Sequence, residues 1–238
     1  MAIDEYIAQW RPLTHQRVPP GDWFIWVMQW GAGAGKTYNG AQYVRSRIDA
    51  GEWRTVNVAG PTWVDTVRTM VHGSAGAPGL MGIWPPHQRP TLRGAKDNPS
   101  LVCHNGARIQ LFAAQKAERF RGPAADGAWF DEIDAWKPEG MDAAEAFALA
   151  EQRIRTGPDP RIICTTTPKR SGLCKQLIAR PDCEHTRATM FDNAANLNAA
   201  YVRTMEAKYA GTRLGRQELD GEILPDVEGA IVTLAMID

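Results

Sequence analysis

"WGAGAGKT", residues 30–37, carries glycine at every second position and closes on a lysine and a threonine. A phosphate-binding loop asks for Gly, four residues, then Gly-Lys-Ser/Thr. Gly35, Lys36 and Thr37 satisfy its end, while Trp30 stands where the first glycine belongs. Context decides whether such a stretch is a site. Before it, "DWFIWVMQW" (22–30) is an apolar run rich in aromatic and β-branched residues, which suits a strand buried on both faces of a parallel sheet, and "VPPGD" ahead of it is turn chemistry. After it, Ala41, Val44 and Ile48 recur at helical spacing and Gly51 is a stop. Strand, glycine loop and helix therefore follow in the order that places backbone N–H groups and a helix N-terminus around a phosphate. Gly31, Ala32, Gly33, Ala34, Gly35, Lys36 and Thr37 are the candidate nucleotide-binding residues. Lys36 reaches the outer phosphates and the Thr37 hydroxyl holds Mg²⁺. The competing reading is a Gly-rich turn with a solvated lysine.

A nucleotide site of this kind needs a carboxylate for the metal and another for the attacking water. "DGAWFDEIDAW" (126–136) runs from small and apolar residues into Asp131 and Glu132, read as metal ligand and catalytic base, with Asp134 as an exposed loop acid. "RIICTTTPKR" (161–170) is a further short strand whose end presents Thr165, Thr166 and Thr167, placed to sense the γ-phosphate and couple its loss to movement. Between them "GMDAAEAFALAEQRIRTG" (140–157) reads as a helix. Alternating strands and helices imply α/β architecture: a three-layer P-loop NTPase, ASCE/RecA-like, with a mostly parallel central sheet flanked by helices and the ligand beyond the strands' carboxyl ends.

Composition bounds the rest. The 238 residues hold 27 Lys+Arg against 27 Asp+Glu, so the net charge is zero and any nucleic-acid contact is local or shared among subunits. The four cysteines, Cys103, Cys164, Cys174 and Cys183, lack paired CxxC spacing and read as reduced thiols. Cys174, Cys183 and His185 fit no zinc pattern. "MAIDEYIAQW" is no signal peptide, and no apolar run approaches the roughly 20 residues of a membrane span. "PTWVDTVRTMVHG" (61–73) opens a helix, the following stretch to Ser100 reads as a long Gly/Pro loop, and "LVCHNGARIQLF" (101–112) is a hairpin turning at Asn105-Gly106.

The stretches "PPGDWFIWVMQWGAGAGKT" (19–37), "ERFRGPAADGAWFDEIDAW" (118–136), "IICTTTPKR" (162–170) and "YAGTRLGRQELDGEILPDVEGA" (209–230) together resemble the large terminase subunit of tailed bacteriophages, prophages and gene transfer agents. The resemblance implies an ATPase that drives double-stranded DNA into a capsid, with ATP and Mg²⁺ as cofactors. It implies a ring of copies (a pentamer on the portal), with portal protein and small terminase subunit as partners, in the cytoplasm of an infected or prophage-carrying bacterial host and without a membrane. An ATPase domain over 1–225 and a linker start over 226–238 follow from it, with the family's nuclease domain not expected in this chain. Family loops often lack the first glycine. Their loop arginine, however, is replaced here by Ala32. Arg121 resembles an arginine finger delivered to a neighbouring subunit, and Arg119 is its rival. The segment before the first strand offers Gln9, Trp10, Arg11 and Gln16 to the base, and Arg89, Arg93 and Lys96 are offered to DNA phosphates. The acidic run Asp220, Glu222, Asp226, Glu228 reads as the close of the last helix and the beginning of the linker. A DEAD-like helicase ATPase and a non-hydrolysing nucleotide-binding assembly module are the alternatives.

Overall fold

The computed structural model describes residues 10–74, 77–94, 99–122, 124–167 and 172–209, with 211, 212, 215 and 219. Gln9, Lys96, the acidic run from Asp220 and the boundary at 225/226 lie outside the described residues.

Strand β1 (Ile25–Trp30) is buried at every position. Trp26, Met28 and Trp30 enter one apolar cluster, and Ile25 and Val27 the other. Two covered faces are the reason its sequence is a continuous apolar run rather than an alternation. Helix α1 (Lys36–Asp49) lays Ala41, Val44 and Ile48 into the first cluster. It sits so close to the sheet that a Cβ on Gly40 would lie 2.4 Å from the Trp129 indole. Then come β2 (Thr55–Gly60), α2 (Trp63–Asp65), the short pair β3 (Gly73–Ser74) and β4 (Ala77–Pro78), β5 (Thr91–Arg93), β6 (Ser100–Val102) and β7 (Arg108–Ala113). The chain continues through β8 (Gly127–Phe130), α3 (Ala143–Glu151), β9 (Arg161–Thr166), α4 (Leu173–Ile178), β10 (Cys183–Ala188) and α5 (Ala199–Tyr209).

Eight strands form the main sheet in the order β10-β1-β9-β8-β2-β7-β6-β5. The six from β10 to β7 are parallel, and β6 and β5 add antiparallel pairs at one edge. Side chains of α1 and α2's continuation fill one face, and those of α3, α4 and the turn Ala114–Arg121 fill the other. This is the expected three-layer α/β arrangement. Register brings the strand ends level: Gln29 is abreast of Thr166, and Phe130 of Cys164 and Ala59. Asp131 therefore emerges beside Thr165, and Thr167 beside Trp30.

The stretch from 61 to 100 departs from its sequence reading. Thr62 does cap α2, its hydroxyl accepting from Asp65 N at 3.2 Å. Beyond Asp65, however, residues Thr66–His72 wind in the wider π form. The buried Thr66 hydroxyl donates to Phe112 O at 2.7 Å and accepts from Gly60 N at 2.9 Å, so a side chain holds this turn against the ends of β2 and β7. The Gly/Pro segment is anchored rather than loose. Leu80, Ile83 and Trp84 are fully buried, Arg45 Nη1 donates to Ile83 O at 2.6 Å, and Thr91–Arg93 pairs as an edge strand. The hairpin turn falls at Asn105-Gly106, with Gly106 at φ 84°. Cys103, Cys164 and Cys174 are buried and Cys183 half-buried, all as free thiols, and burial pushes Cys103 up to about 12. Among the described residues no helix is long and apolar enough to cross a membrane.

Candidate active site

The loop leaves β1 at Trp30 and enters α1 at Lys36. Gly33 (φ 79°) and Gly35 (φ 90°) take left-handed conformations that a side chain disfavours. Gly31 N donates to Ala188 O at 2.8 Å and Ala34 N to Gly31 O at 3.2 Å, closing a tight turn ahead of the helix. Positive φ on either side of Ala34 is the alternation of a backbone nest, a form suited to an anion, at the positive end of α1. Lys36 is buried and its Nζ donates to Trp30 O (2.9 Å), Gly31 O (3.1 Å) and Thr167 Oγ1 (2.8 Å), and lies 3.9 Å from Glu132 Oε1. The reading of Lys36 as a solvated lysine is thereby excluded.

Asp131 and Glu132 follow β8 but occupy different environments. Asp131 is buried and accepts a hydrogen bond from Thr165 Oγ1. Burial first, then the charge of Glu132, raises its carboxyl to about 7, against the lowering influence of the Thr165 bond and Lys36. A carboxylate so disfavoured in its ionised form fits a hard divalent cation, which would draw it back to the anion. Glu132 is half-buried and sits at φ 48°, ψ 50°, and among the described residues it is the one non-glycine at positive φ. Its carboxylate accepts from Thr167 N and Thr167 Oγ1, both at 3.2 Å. Backbone strain held in place by specific contacts is characteristic of functional positions.

The three threonines of β9's end have separate partners. Trp129 Nε1 donates to Thr165 Oγ1 at 3.1 Å, and that hydroxyl passes its own hydrogen to Asp131. Thr166 is buried, with its hydroxyl 3.4 Å from Asp134 N. Thr167 alone joins Lys36 to Glu132. Asp134 is not the exposed loop acid that the sequence suggests. It is buried, and its Oδ1 accepts from Cys174 N at 2.9 Å, tying the turn after β8 to the first turn of α4. Cys183 and His185 lie on β10, where His185 Nε2 contacts Gln29 Oε1 at 3.0 Å.

Arg121 is exposed and pairs with Glu118 at 2.9 Å, and Arg119 is exposed on the same turn. Trp10 packs edge-on to Tyr38 with centroids 6.1 Å apart, and Arg11 is exposed. Gln16 is buried with its amide nitrogen 2.9 Å from where a Cβ on Gly35 would stand, so it covers the loop itself. Arg89 and Arg93 are both exposed, the latter on edge strand β5. Two loop neighbours escaped sequence reading: His15, whose Nε2 is 3.0 Å from Ala34 O, and Asn193, whose Nδ2 donates to Gly33 O at 2.7 Å. His15 stands one residue from Gln16 in a segment already suspected, while nothing local marks Asn193. Asp65, at the end of α2, adds a further raising influence on Asp131.

Comparison with known proteins agrees with this architecture. The family described as terminase large subunit, T4likevirus-type, N-terminal, matches residues 27–236. No curated protein matches. Among solved structures, the large terminase of a thermophilic bacteriophage aligns at TM-score 0.67 and 16% identity, over 90% of this chain and 55% of that one. This chain thus spans about half of that protein's length. The large terminase ATPase domain of Thermus phage P74-26 aligns at TM-score 0.63 and 13% identity, over 92% of this chain and 96% of that one. The first of these terminases, in complex with ADP, aligns at TM-score 0.63 and 16% identity, over 94% and 53% of the respective chains.

Proposed function

Because the chain belongs to the terminase large-subunit family, matching its N-terminal part over residues 27–236, we propose that it is the ATP-hydrolysing domain of a motor that drives double-stranded DNA into a capsid. The observation that carries this reading is the junction of Lys36, Thr167 and Glu132 across the ends of three elements. It supports a site in which charge neutralisation and water activation are held by one hydroxyl. The ADP complex of the thermophilic bacteriophage's terminase supports a nucleotide as the ligand.

In this reading the β- and γ-phosphates lie on the amides of Ala32, Gly33 and Gly35 at the start of α1, the Gly31 and Ala34 amides being used within the fold, and the Lys36 ammonium faces the γ-phosphate. Thr37 and Asp131 are the residues that would hold Mg²⁺. Bound there, the ion neutralises phosphate charge and fixes the phosphate oxygens. The Glu132 carboxylate accepts a proton from water as the water oxygen bonds to the γ-phosphorus. The bond from that phosphorus to the bridging oxygen breaks, leaving ADP and phosphate. Thr167 is placed to register the event, because it touches both the lysine and the base. Thr165 orients Asp131 instead, and Thr166 faces the turn that Asp134 ties to α4. Arg121, exposed on its own chain, is proposed as the finger supplied to a neighbouring copy in a ring, and Arg89 and Arg93 as phosphate contacts to DNA. Portal protein and small terminase subunit are the proposed partners, the cytoplasm of an infected or prophage-carrying host the proposed location, and residues 1–225 the proposed extent of the domain.

Steady-state ATP turnover of the chain and of Glu132→Gln, at rising protein concentration with and without DNA, tests this. The expected result is turnover that Glu132→Gln abolishes and that rises faster than linearly with protein. ATP that binds but is never hydrolysed under any of these conditions would leave an assembly module in its place.

A further inference from the structure

The phosphate loop is held on its outer side by residues from two segments remote in sequence. His15, from the turn Thr14–Gln16, places Nε2 at 3.0 Å from Ala34 O. A carbonyl only accepts, so His15 is the donor, through an Nε2–H. Its ring also packs edge-on against Trp30 with centroids 4.8 Å apart. From the other end of the chain, the buried Asn193 donates Nδ2–H to Gly33 O at 2.7 Å and accepts from Asn196 Nδ2 at 2.9 Å. Asp192, next to Asn193, is held below the usual carboxylate range, first by Thr189 N–H and in smaller part by the charge of His15. Met190 and Leu197 close the outer face of the loop, each with a carbon 3.3 Å from where a Cβ on Gly33 would stand.

In a trans peptide the N–H points opposite to the C=O. Holding Ala34 O toward His15 therefore aims Gly35 N–H to the other side of the chain. Holding Gly33 O toward Asn193 likewise aims Ala34 N–H back to Gly31 O, which is the bond observed. Gly33 and Gly35, at positive φ, have no side chain to limit their peptides, so these orientations need an external restraint. We propose that His15 and Asn193 are positioning residues that preset the peptide planes of the phosphate loop: His15 aims Gly35 N–H at the diphosphate, and Asn193 holds the Gly31–Ala34 turn, so that the diphosphate meets the loop without reorganisation. The inference rests on the reading of residues 30–37 as a phosphate site.

The test is the affinity for ADP, measured by displacement of a fluorescent ADP analogue, with circular dichroism as the check on folding. Asn193→Asp keeps the shape and removes the donor. His15→Phe keeps the ring on Trp30 and removes the donor, while His15→Gln returns an N–H at similar reach. Loss of one such bond weakens ADP binding about three- to tenfold. Asn193→Asp and His15→Phe are expected to show this loss, and His15→Gln to recover most of it. Wild-type affinity in Asn193→Asp, or equal affinities in the two His15 variants, overturns the proposal and leaves the phosphate site standing. Absence of ADP binding by the wild-type chain overturns the site, and the proposal with it. If Asn193→Asp does not fold, the His15 pair still decides.

Discussion

Glu132 gives a test whose sign depends on its backbone alone. Its φ of 48° and ψ of 50° place it in the left-handed region, which costs a residue with a Cβ about 1–2 kcal/mol. Glu132→Ala and Glu132→Gly remove the same carboxylate and the same contacts to Thr167 N and Oγ1. They differ in two respects only. Alanine keeps the Cβ strain, while glycine sheds it but gives the unfolded chain freedom worth about 0.5–1 kcal/mol. The balance favours glycine by about 0.5–1 kcal/mol, opposite to a right-handed helical site, where alanine wins by about 1 kcal/mol. For a chain of this size each kcal/mol is about 2–4 °C, so the glycine variant melts about 1–4 °C above the alanine variant. Urea titration and a thermal melt of the two proteins side by side measure it, and both variants are expected to lack ATP turnover. An alanine variant as stable as the glycine variant would refute the left-handed Glu132, and with it the placement of the carboxylate by strain.

Other perturbations probe the remaining contacts. The Asp131 carboxyl is raised to about 7 by burial and by Glu132, so the native state keeps a proton that the unfolded chain releases near pH 4. Its stabilising contribution is full below about pH 4 and lost as pH rises through about 7. In metal-free buffer, Asp131→Asn should therefore flatten the fall in urea midpoint between pH 5 and pH 8, and an unchanged slope would count against the buried carboxyl. Gly40→Ala puts a Cβ 2.4 Å from the Trp129 ring. Overpacking of about 1–3 kcal/mol should outweigh the gain in helix propensity and lower the melting temperature, and a rise would mean that α1 does not lie on β8 there. Thr167→Val removes the hydroxyl shared by Lys36 and Glu132, with kcat expected to fall at least about tenfold and Thr167→Ser to restore it, a split read from Michaelis curves. Arg121→Ala should cut turnover by about 10³-fold where copies associate and leave dilute protein unaffected, because a finger acts only in a ring.

Local sequence was enough for the frame of this protein. The apolar run into Trp30, the glycine alternation and the helical spacing of Ala41, Val44 and Ile48 define strand, loop and helix, since each depends on neighbours within a few residues. Asp131-Glu132 and the threonine end of β9 were legible in the same way, because polar groups that close a buried strand lie at its carboxyl end. Local signals misled where a residue's role comes from what packs on it. Asp134 looks like a loop acid, yet a helix start 40 residues onward takes its oxygen. The Gly/Pro segment looks loose, yet Trp84 and Ile83 pin it under α1.

Tertiary structure alone decided how the site is wired. Lys36 meets Thr167 across 131 positions, and Asn193 meets Gly33 across 160. Such bonds arise because a parallel sheet brings the carboxyl ends of β10, β1 and β9 level, and no period in the sequence encodes which side chains will then be opposite. The left-handed turn of Glu132 belongs here too. A glutamate by itself avoids that region, and contacts from Thr167 just past the end of β9, with packing around the end of β8, keep it there.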